Sequence, residues 1–193
     1  MTKNTIFAAL MTALIFAGYA FTSAITTATV NTSQSQIVWK GYKVTGEHTG
    51  NIAVKDGKLS FDEGKLVGGS FDIDMTTITC TDLEGEWGQK LVGHLKSDDF
   101  FGVEKYPTAK FIITKVSSRG TPDDYKVTGD LTIKGITKEI RFLANATENG
   151  ATAEIKLDRT DFNVRYGSGS FFDNLGDKTI YDEFDLTVNL VLN

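Results

Sequence analysis

The 193-residue sequence has few residues that crosslink the chain or ligate metals, and it has a deficit of positive charge. Cys80 is the single cysteine, so an intrachain disulfide is excluded. With one cysteine and two histidines, the chain does not carry the residues of a typical zinc site. The net charge of −5 at pH 7 argues against nucleic acids as partners. No Pro/Gly/Ser-rich linker divides the chain, which favours one domain.

The N-terminus has the pattern of a secretory signal peptide over residues 1–24. Lys3 precedes an apolar run over residues 6–21, and small residues follow at Ser23-Ala24. The run is somewhat short for a membrane span, which needs about 20 residues, although a retained N-terminal anchor is the alternative. Cleavage would remove Lys3 and no acidic residue, which leaves 19 basic and 25 acidic side chains and a net charge of −6. We therefore expect a periplasmic or secreted protein, not an integral membrane protein, with a single domain over residues 25–193.

Alternation of apolar and polar residues predicts β-strands along most of the chain. The pattern is clearest over residues 125–157, where Gly135-Ile136 fits a type II′ turn and Asn149-Gly150 a type I′ turn between three antiparallel strands. Asp56-Gly57 is predicted to turn the chain between two further strands, and residues 25–34 are expected to form a loose lead. The other predicted strands lie at residues 37–41, 49–54, 58–61, 66–78, 109–113 and 180–192.

One interval has helical spacing instead. Trp87, Leu91 and Leu95 recur every four residues, which predicts an amphipathic helix over residues 84–96, with Asp82 as its cap. Seven or eight strands with tight turns and no βαβ rhythm indicate an all-β protein. We predict an eight-stranded antiparallel up-and-down barrel, similar to lipocalins and streptavidin, with the helix capping one end. Residues 165–178 have no clear period.

The interior of such a barrel is either filled by side chains or holds one ligand. The apolar face of three neighbouring strands carries small residues where a packed core would have large ones: Gly129, Ala144, Ala146, Ala151 and Ala153. One interpretation is that large aromatic side chains from across the barrel fill the space, which would make the protein a structural or interaction barrel without a ligand. The other is an apolar cavity for a long hydrocarbon chain, since small-molecule pockets are mostly apolar.

Several ordered motifs resemble the YceI-like family. The central motif is Gly93-His94-Leu95-Lys96-Ser97-Asp98-Asp99-Phe100-Phe101, and the others are Gly129 to Gly135, Asp158 to Phe162, Trp39 and Gly46 to Gly50. The resemblance runs from about Gln36 to Leu190. It implies a lipocalin-like barrel, exported to the periplasm, that binds polyisoprenoid or similar amphiphilic lipids. It implies no common catalytic residues.

Together these observations predict an exported protein that sequesters or carries an isoprenoid-type or other long-chain amphiphilic lipid. The bound lipid would be an isoprenoid quinone or a polyprenyl lipid, no other cofactor is expected, and a homodimer is left open. The residues expected to line the apolar site are Trp39, Phe71, Ile73, Met75, Phe111, Ile113, Val127, Gly129, Leu131, Phe142, Ala144, Ala153, Ile155, Phe184 and Leu186. Those expected at the mouth, as polar or lid contacts, are His48, Phe100, Phe101 and Arg159.

Two groups of polar residues allow alternative interpretations. Arg159 either joins Asp158 and Asp161 in a structural ion network or meets a lipid headgroup at the mouth. Cys80 and His94 could in principle form the nucleophilic pair of a hydrolase, but neither has a recognisable motif context. We therefore do not expect an enzyme, and we expect His94 to serve as surface or end packing on the helix.

Overall fold

The computed structural model of the protein describes residues 24–193, so the predicted signal peptide lies outside the described residues except for Ala24. The described part contains nine strands and one α-helix. The strands are β1 (Thr26–Thr29), β2 (Gln36–Lys43), β3 (Gly46–Asp62), β4 (Lys65–Asp74), β5 (Thr108–Ser118), β6 (Asp124–Ile133), β7 (Ile136–Thr147), β8 (Gly150–Asp158) and β9 (Ile180–Val191). The helix is α1 (Gly85–Lys96), and short 3₁₀ helices span Met75–Thr77, Arg159–Phe162 and Gly176–Lys178.

Strands β2 to β9 form a closed antiparallel barrel. Each strand pairs with its neighbours in the chain, and β9 pairs with β2 to complete the ring. The structure therefore confirms the predicted eight-stranded up-and-down barrel. Alternation along each strand directs apolar side chains inward, as for the buried Tyr125, Val127 and Leu131 of β6. Among residues 24–193, no helix has the length and apolar character required to cross a membrane.

The predicted loose lead over residues 25–34 is wrong, because residues 26–29 form β1. This strand pairs outside the ring with Lys58 to Phe61 of β3. Strand β2 covers β3 only between Gly46 and Ile52, so the rest of that edge is unpaired without β1. The threonine-rich segment carries no apolar alternation to reveal it, but β-branched residues suit an edge that needs covering.

The predicted turn at Asp56-Gly57 is also wrong, because β3 continues through it as one 17-residue strand. A β-bulge between Val54 and Asp56 absorbs the irregularity. A Cβ at Gly57 would lie 2.6 Å from Cδ1 of Phe71 and 2.9 Å from Val30 Cγ2. The glycine is therefore required by close packing inside the barrel and not by a reversal of the chain.

Both predicted hairpin turns are shifted by one residue. Ile133 pairs with Ile136, so the β6–β7 turn is Lys134-Gly135, with φ of 52° and 75°. Positive φ at both positions defines a type I′ turn, not the predicted type II′. The Lys134 ammonium also donates to the carbonyls of Asp98 (2.9 Å) and Phe100 (2.6 Å), which ties the turn to the segment after α1.

The β7–β8 turn is Glu148-Asn149, since Thr147 pairs with Gly150. A Cβ at Gly150 would lie 2.6 Å from the Leu190 carbonyl oxygen. Gly150 therefore permits the close approach of β9 and does not supply positive φ to a type I′ turn, which corrects the prediction for Asn149-Gly150.

Helix α1 begins one residue later than predicted and covers one end of the barrel. Its N-cap is Glu84, which makes no side-chain capping hydrogen bond, so the predicted cap at Asp82 is wrong. Leu95 is buried, but Trp87 is 72% exposed and lies against the Lys90 ammonium. The apolar side chains of the inward face therefore begin at Leu91, while Gly88 is buried against the Leu83 carbonyl.

Candidate functional site

The larger internal cavity lies beneath helix α1 and has a volume of about 310 Å³. This is near the lower limit for small-molecule sites. Its wall is mainly aliphatic and aromatic, contributed by Ile37, Trp39, Ile52, Ile73, Met75, Ile78, Leu91, Leu95, Phe100, Phe101, Ala109, Leu131, Ile133, Ile180, Phe184 and Leu186. Its polar lining residues come from the end of β2, the beginnings of β3 and β9, the 3₁₀ helix Arg159–Phe162 and helix α1: Tyr42, Lys43, His48, His94, Arg159, Tyr181 and Glu183. Tyr181 is 52% exposed, so the cavity reaches the surface on this side.

A second cavity of about 120 Å³ continues towards the opposite end of the barrel. It shares four wall residues with the larger one: Ile37, Ile73, Leu131 and Leu186. The alanines that suggested an enlarged interior, Ala144, Ala146, Ala151 and Ala153, all line this second space. The barrel therefore encloses a two-part apolar volume that runs inward from the end covered by α1.

The structure places nearly all of the predicted lining residues on one of these walls. Of the fifteen predicted apolar residues, Gly129 alone lines neither cavity. His48, Phe100, Phe101 and Arg159 all line the larger cavity. Contact of these residues with a lipid stays a prediction. The larger cavity is also lined by Ile37, Ile52, Leu91 and His94, which were not predicted, although strand alternation and helical spacing indicated the first three.

Gly129 is small for a different reason from the one predicted. The residue seats the ring of Phe111, and the three rings of Phe71, Phe111 and Phe142 form a row with centroid separations of 6.4 and 5.5 Å. Aromatic side chains therefore fill part of the interior, as the packed interpretation expected. All three rings line the smaller cavity.

Arg159 is buried, with 3% exposure, and its guanidinium is held by protein groups. It donates to the carbonyls of Val164 (2.7 Å), Ile180 (3.0 Å) and Tyr181 (3.0 Å), and to Asp182 Oδ1 at 3.2 Å. Burial lowers the pKa of this guanidinium, against the opposing charge of Asp182. The guanidinium thus ties the segment after β8 to the beginning of β9.

The predicted ion pairs of Arg159 with Asp158 and Asp161 were wrong, although the charge of Asp158 also favours the guanidinium. Asp158 accepts hydrogen bonds from the amide (2.8 Å) and hydroxyl (2.6 Å) of Thr160, and Asp161 lies 3.6 Å from the Lys138 ammonium. The ion pair is instead with Asp182, 23 residues along the chain. Asp158 and Asp161 were predicted as ion-pair partners because they are close to Arg159 in the sequence. The alternation along a strand does not indicate which side chains meet across a loop.

His48 and Cys80 meet at Asp82, beside the larger cavity. Asp82 Oδ2 lies 2.8 Å from His48 Nδ1, and Oδ1 accepts from the Thr49 amide (2.8 Å) and the Cys80 thiol (3.3 Å). Burial raises the pKa of Asp82, but the hydrogen bonds from Thr49, His48 and Cys80 outweigh it and lower the pKa to about 2. The cluster fastens the segment before α1 to strand β3.

The structure does not pair Cys80 with His94. The thiol donates to Asp82, and His94 Nε2 has no hydrogen-bond partner. Burial also raises the pKa of the Cys80 thiol, which is opposite to the shift that activates a nucleophile. The His94 ring instead packs edge-on against Tyr166 and Phe100, with centroids 4.3 and 5.6 Å away.

The same segment is held against the barrel by a close backbone approach. A Cβ at Gly50 would fall 1.8 Å from the Thr79 carbonyl oxygen, which accepts the Trp39 indole N–H at 3.0 Å. Only glycine permits this contact. Trp39 and Gly50 of the opening motif therefore both hold the chain at Thr79 against β2 and β3.

Comparison with known families and proteins gives a consistent assignment. The model of the YceI-like domain family matches residues 29–192. A Shewanella denitrificans protein named UPF0312 is 36% identical over 95 residues, which cover 49% of this chain and 47% of that protein. The protein named YceI of Escherichia coli is 32% identical over 124 residues, which cover 59% and 62%. The chain thus spans about half the length of the first of these relatives and somewhat more of the second.

Solved structures share the fold at low identity. Burkholderia cenocepacia BcnA superposes with a TM-score of 0.68 and 22% identity, over 85% of this chain and 99% of that one. A polyisoprenoid binding domain from Saccharophagus degradans gives a TM-score of 0.60 at 12% identity, over 89% and 99%. At these identities the likeness establishes a common barrel architecture, and the ligand named for the second protein is a property of that protein.

Proposed function

The chain belongs to the YceI-like family, and we propose that it is an exported binding protein that carries or sequesters an isoprenoid-type or other long-chain amphiphilic lipid inside its barrel. The observation that carries this proposal is the pair of apolar cavities, of about 310 and 120 Å³, which share wall residues along the barrel. A narrow apolar volume of this form suits a flexible hydrocarbon chain better than a compact polar metabolite.

Burial of hydrocarbon provides enough free energy for such a complex. About 20 methylene groups at about 0.8 kcal/mol each give roughly 16 kcal/mol of gross stabilisation. The loss of translational and rotational freedom costs about 4–15 kcal/mol. Binding therefore requires few specific polar contacts, in agreement with a wall that is mainly aliphatic and aromatic.

Two kinds of molecule fit the chemistry, namely an isoprenoid quinone and a polyprenyl lipid. Both combine a long branched hydrocarbon with a small oxygen-bearing head. The charged side chains and the histidines of the two walls all line the larger cavity, beneath α1. The Saccharophagus degradans protein that shares the fold is a polyisoprenoid binding domain, which supports the same class of ligand. In this proposal the tail occupies the deep cavity and the head lies beneath α1.

The alternative is a barrel whose interior is filled and whose role is structural. The row of Phe71, Phe111 and Phe142 favours it, because these rings occupy part of the middle of the barrel. We favour the carrier because Ala144 and Ala153, which face each other across β7 and β8, leave the adjacent volume empty.

Thermal unfolding with and without ligand tests the proposal. A ligand that binds only the folded state, and that is present at a free concentration of 100 times its Kd, raises the free energy of unfolding by about 2.7 kcal/mol. Delipidated protein should therefore melt at a higher temperature when an isoprenoid quinone with a long tail is added. The water-soluble quinone head without its tail serves as the control. An unchanged melting temperature with quinones and polyprenols of several tail lengths would contradict the carrier function.

The proposed location outside the cytoplasm rests on the N-terminal pattern over residues 1–24. The mass of the protein isolated from its native host tests it. A mature chain that begins near Ile25 is expected, whereas a full-length chain would support a retained anchor.

A further inference from the structure

The loop between β8 and β9, over residues 165–178, presents a group of exposed aromatic side chains at the end of the barrel that α1 covers. Phe171 is 46% exposed, Phe172 is 51% exposed, and Tyr166 is exposed as well. Tyr181 follows the loop at the beginning of β9 and is also exposed. Large apolar side chains that are grouped on a surface mark an interaction site, whereas single ones do not.

Hydrogen bonds fix the position of these rings, so their exposure is a property of the folded loop. The carbonyl of the fully buried Ser168 accepts the amides of Phe171 (3.2 Å) and Phe172 (3.0 Å). The Gly167 carbonyl accepts the Ile180 amide at 2.8 Å, which joins the loop to the beginning of β9. Phe171 and Phe172 line neither cavity of the barrel. The two phenylalanines are therefore held on the outside of the protein.

The buried Arg159 supports the same loop. The Ser170 hydroxyl donates to Asp182 Oδ2 at 2.6 Å, and Oδ1 of that carboxylate accepts from Arg159 at 3.2 Å. Arg159 also donates to the carbonyl of Val164, the residue directly before the loop. The network around Arg159 thus holds the loop from both sides, which preorganises its exposed surface for binding.

The aromatic surface borders the opening of the larger cavity. Tyr181 lines this cavity, although half of its surface is exposed. The Tyr166 ring packs edge-on against the ring of His94, another residue of the wall, with centroids 4.3 Å apart. A partner that covers the loop therefore lies beside the entrance to the cavity.

The charges of the loop suit a phospholipid surface. Arg165 and Lys178 balance Asp173 and Asp177, so the loop is neutral, whereas the whole chain has a net charge of −5. The loop thus lacks the excess negative charge that would oppose approach to phospholipid headgroups. The Arg165 guanidinium carbon lies 4.4 Å from the centre of the Phe171 ring. An aromatic ring beside a basic side chain is typical of the membrane–water interface, where the ring meets hydrocarbon and the cation reaches the headgroups.

We propose that the loop over residues 165–178, together with Tyr181, docks onto a phospholipid bilayer. The inference rests on the proposed carrier function and specifies where the lipid is exchanged. Phe171 and Phe172 insert at the boundary between headgroups and acyl chains, so the opening beside Tyr181 faces the bilayer. A long hydrocarbon then passes between membrane and cavity without the unfavourable exposure of its apolar surface to water. A bilayer is favoured over a protein partner because a long-chain isoprenoid dissolves in bilayers and not in water.

Three double variants of the protein purified from its native host test the assignment. Phe171→Ser with Phe172→Ser removes both rings, and Phe171→Trp with Phe172→Trp keeps aromatic side chains that suit the interface. Ile112→Ser with Leu143→Ser is the matched control, because these residues of β5 and β7 are 46% and 50% exposed. Binding to phosphatidylcholine vesicles, with and without added phosphatidylglycerol, is measured by flotation at low and high salt.

The wild-type protein should bind the phosphatidylcholine vesicles, with little effect of phosphatidylglycerol or salt because the loop is neutral. The double serine variant of the loop should bind about 10–100-fold more weakly, since two half-exposed rings no longer enter the bilayer. The tryptophan variant and the control should bind as the wild type does. Transfer of a prenol from the vesicles to the protein should slow for the loop serine variant alone.

Melting temperatures separate docking from folding and from the carrier function. Each ligand-free variant should melt near the wild type, and an isoprenoid quinone should raise each melting temperature alike, because Phe171 and Phe172 line neither cavity. If the double serine variant of the loop is less stable, Phe172→Ser alone gives the same test, since it keeps Phe171 beside Arg165.

Equal vesicle binding by the wild type and the loop serine variant would overturn the inference, because another part of the chain, such as a retained anchor, would then hold the membrane. Binding that requires phosphatidylglycerol and is lost at high salt would also overturn it. So would no binding by the wild type, including the case in which the wild type self-associates through Phe171 and Phe172. A quinone that still raises the melting temperature leaves the carrier function standing in each case. Ring-dependent vesicle binding without any effect of quinones on melting would support the docking surface and overturn the carrier function.

Discussion

Gly129 on β6 lies directly against the ring of Phe111 on β5, so closely that a Cβ on the glycine would fall 2.4 Å from Phe111 Cζ. The same Cβ would meet the Ile112 carbonyl oxygen at 2.5 Å, and backbone cannot move aside as a flexible side chain can. The space that a side chain at Gly129 would fill is thus occupied by the Phe111 ring. The small alanines of β7 and β8, by contrast, border empty space.

This contact predicts that Gly129→Ala destabilises the protein. Relief of the clash requires a shift of Phe111 or of the β5 backbone, and overpacking of this kind costs about 1–3 kcal/mol. Gly68→Ala is the control, because a Cβ there meets nothing within 4 Å. Chemical denaturation measures both changes. Equal free energies of unfolding for wild type and Gly129→Ala would show that the ring is not seated on this residue.

Ala144→Phe should shorten the lipid that the barrel accepts. Ala144 lines only the deeper cavity, so the added ring should block the end of a long tail and leave a short one unaffected. The control is Leu143→Phe, the next residue, whose side chain is 50% exposed on the outer face. Titration with prenols of two tail lengths measures the effect. An equal loss for both lengths, with a stability loss of about 1–3 kcal/mol, would instead indicate a packed interior.

Arg159→Ala should destabilise the protein and weaken lipids with different heads alike. The substitution removes the guanidinium from three carbonyls and from Asp182, which keeps only the Ser170 hydroxyl as a donor. The loss of one partner of a buried ion pair costs about 3–5 kcal/mol. A double-mutant cycle with Asp182→Ala should show coupling, because the second change removes the orphaned carboxylate. A selective loss of phosphate-headed lipids at unchanged stability would restore Arg159 as a headgroup contact.

The contribution of Asp82 to stability should depend on pH. Its folded pKa of about 2 lies below the ordinary value of 3.8, so its carboxylate stabilises the folded state fully above pH 3.8. That stabilisation is lost as pH falls through about 2. Asp82→Asn should therefore melt below wild type at pH 7, with a difference that shrinks towards pH 2. Asp161→Asn, an exposed carboxylate 3.6 Å from Lys138, is the control. A difference that is constant over this range would contradict the assigned hydrogen bonds.

Strand alternation was sufficient to predict the barrel, because inward and outward residues follow one period along each strand. It was insufficient where single contacts decide the structure. The turn at Lys134-Gly135 is fixed by bonds from Lys134 to a distant loop, and Gly57 looks like a turn residue but makes room for Phe71. These contacts join segments that are far apart in sequence, so no local sequence pattern predicts them.

The candidate site likewise contains residues that the sequence predicts and residues that it does not. Its apolar wall was largely predictable, since lining residues such as Ile73 and Leu186 belong to the inward stripe of their strands. Its polar groups were not. The Arg159 partner Asp182 and the unpartnered nitrogen of His94 depend on how a loop and a helix fold over the end of the barrel.

The most direct test of the carrier function is to extract the protein under denaturing conditions, after purification from its native host, and to identify released lipid by mass spectrometry. We expect a long-chain isoprenoid in near-stoichiometric amount from the wild type. We expect less, or a shorter chain, from Ala144→Phe purified in parallel. Recovery of no lipid from several preparations, together with no uptake of added isoprenoid quinone, would contradict the proposal that this barrel carries a lipid.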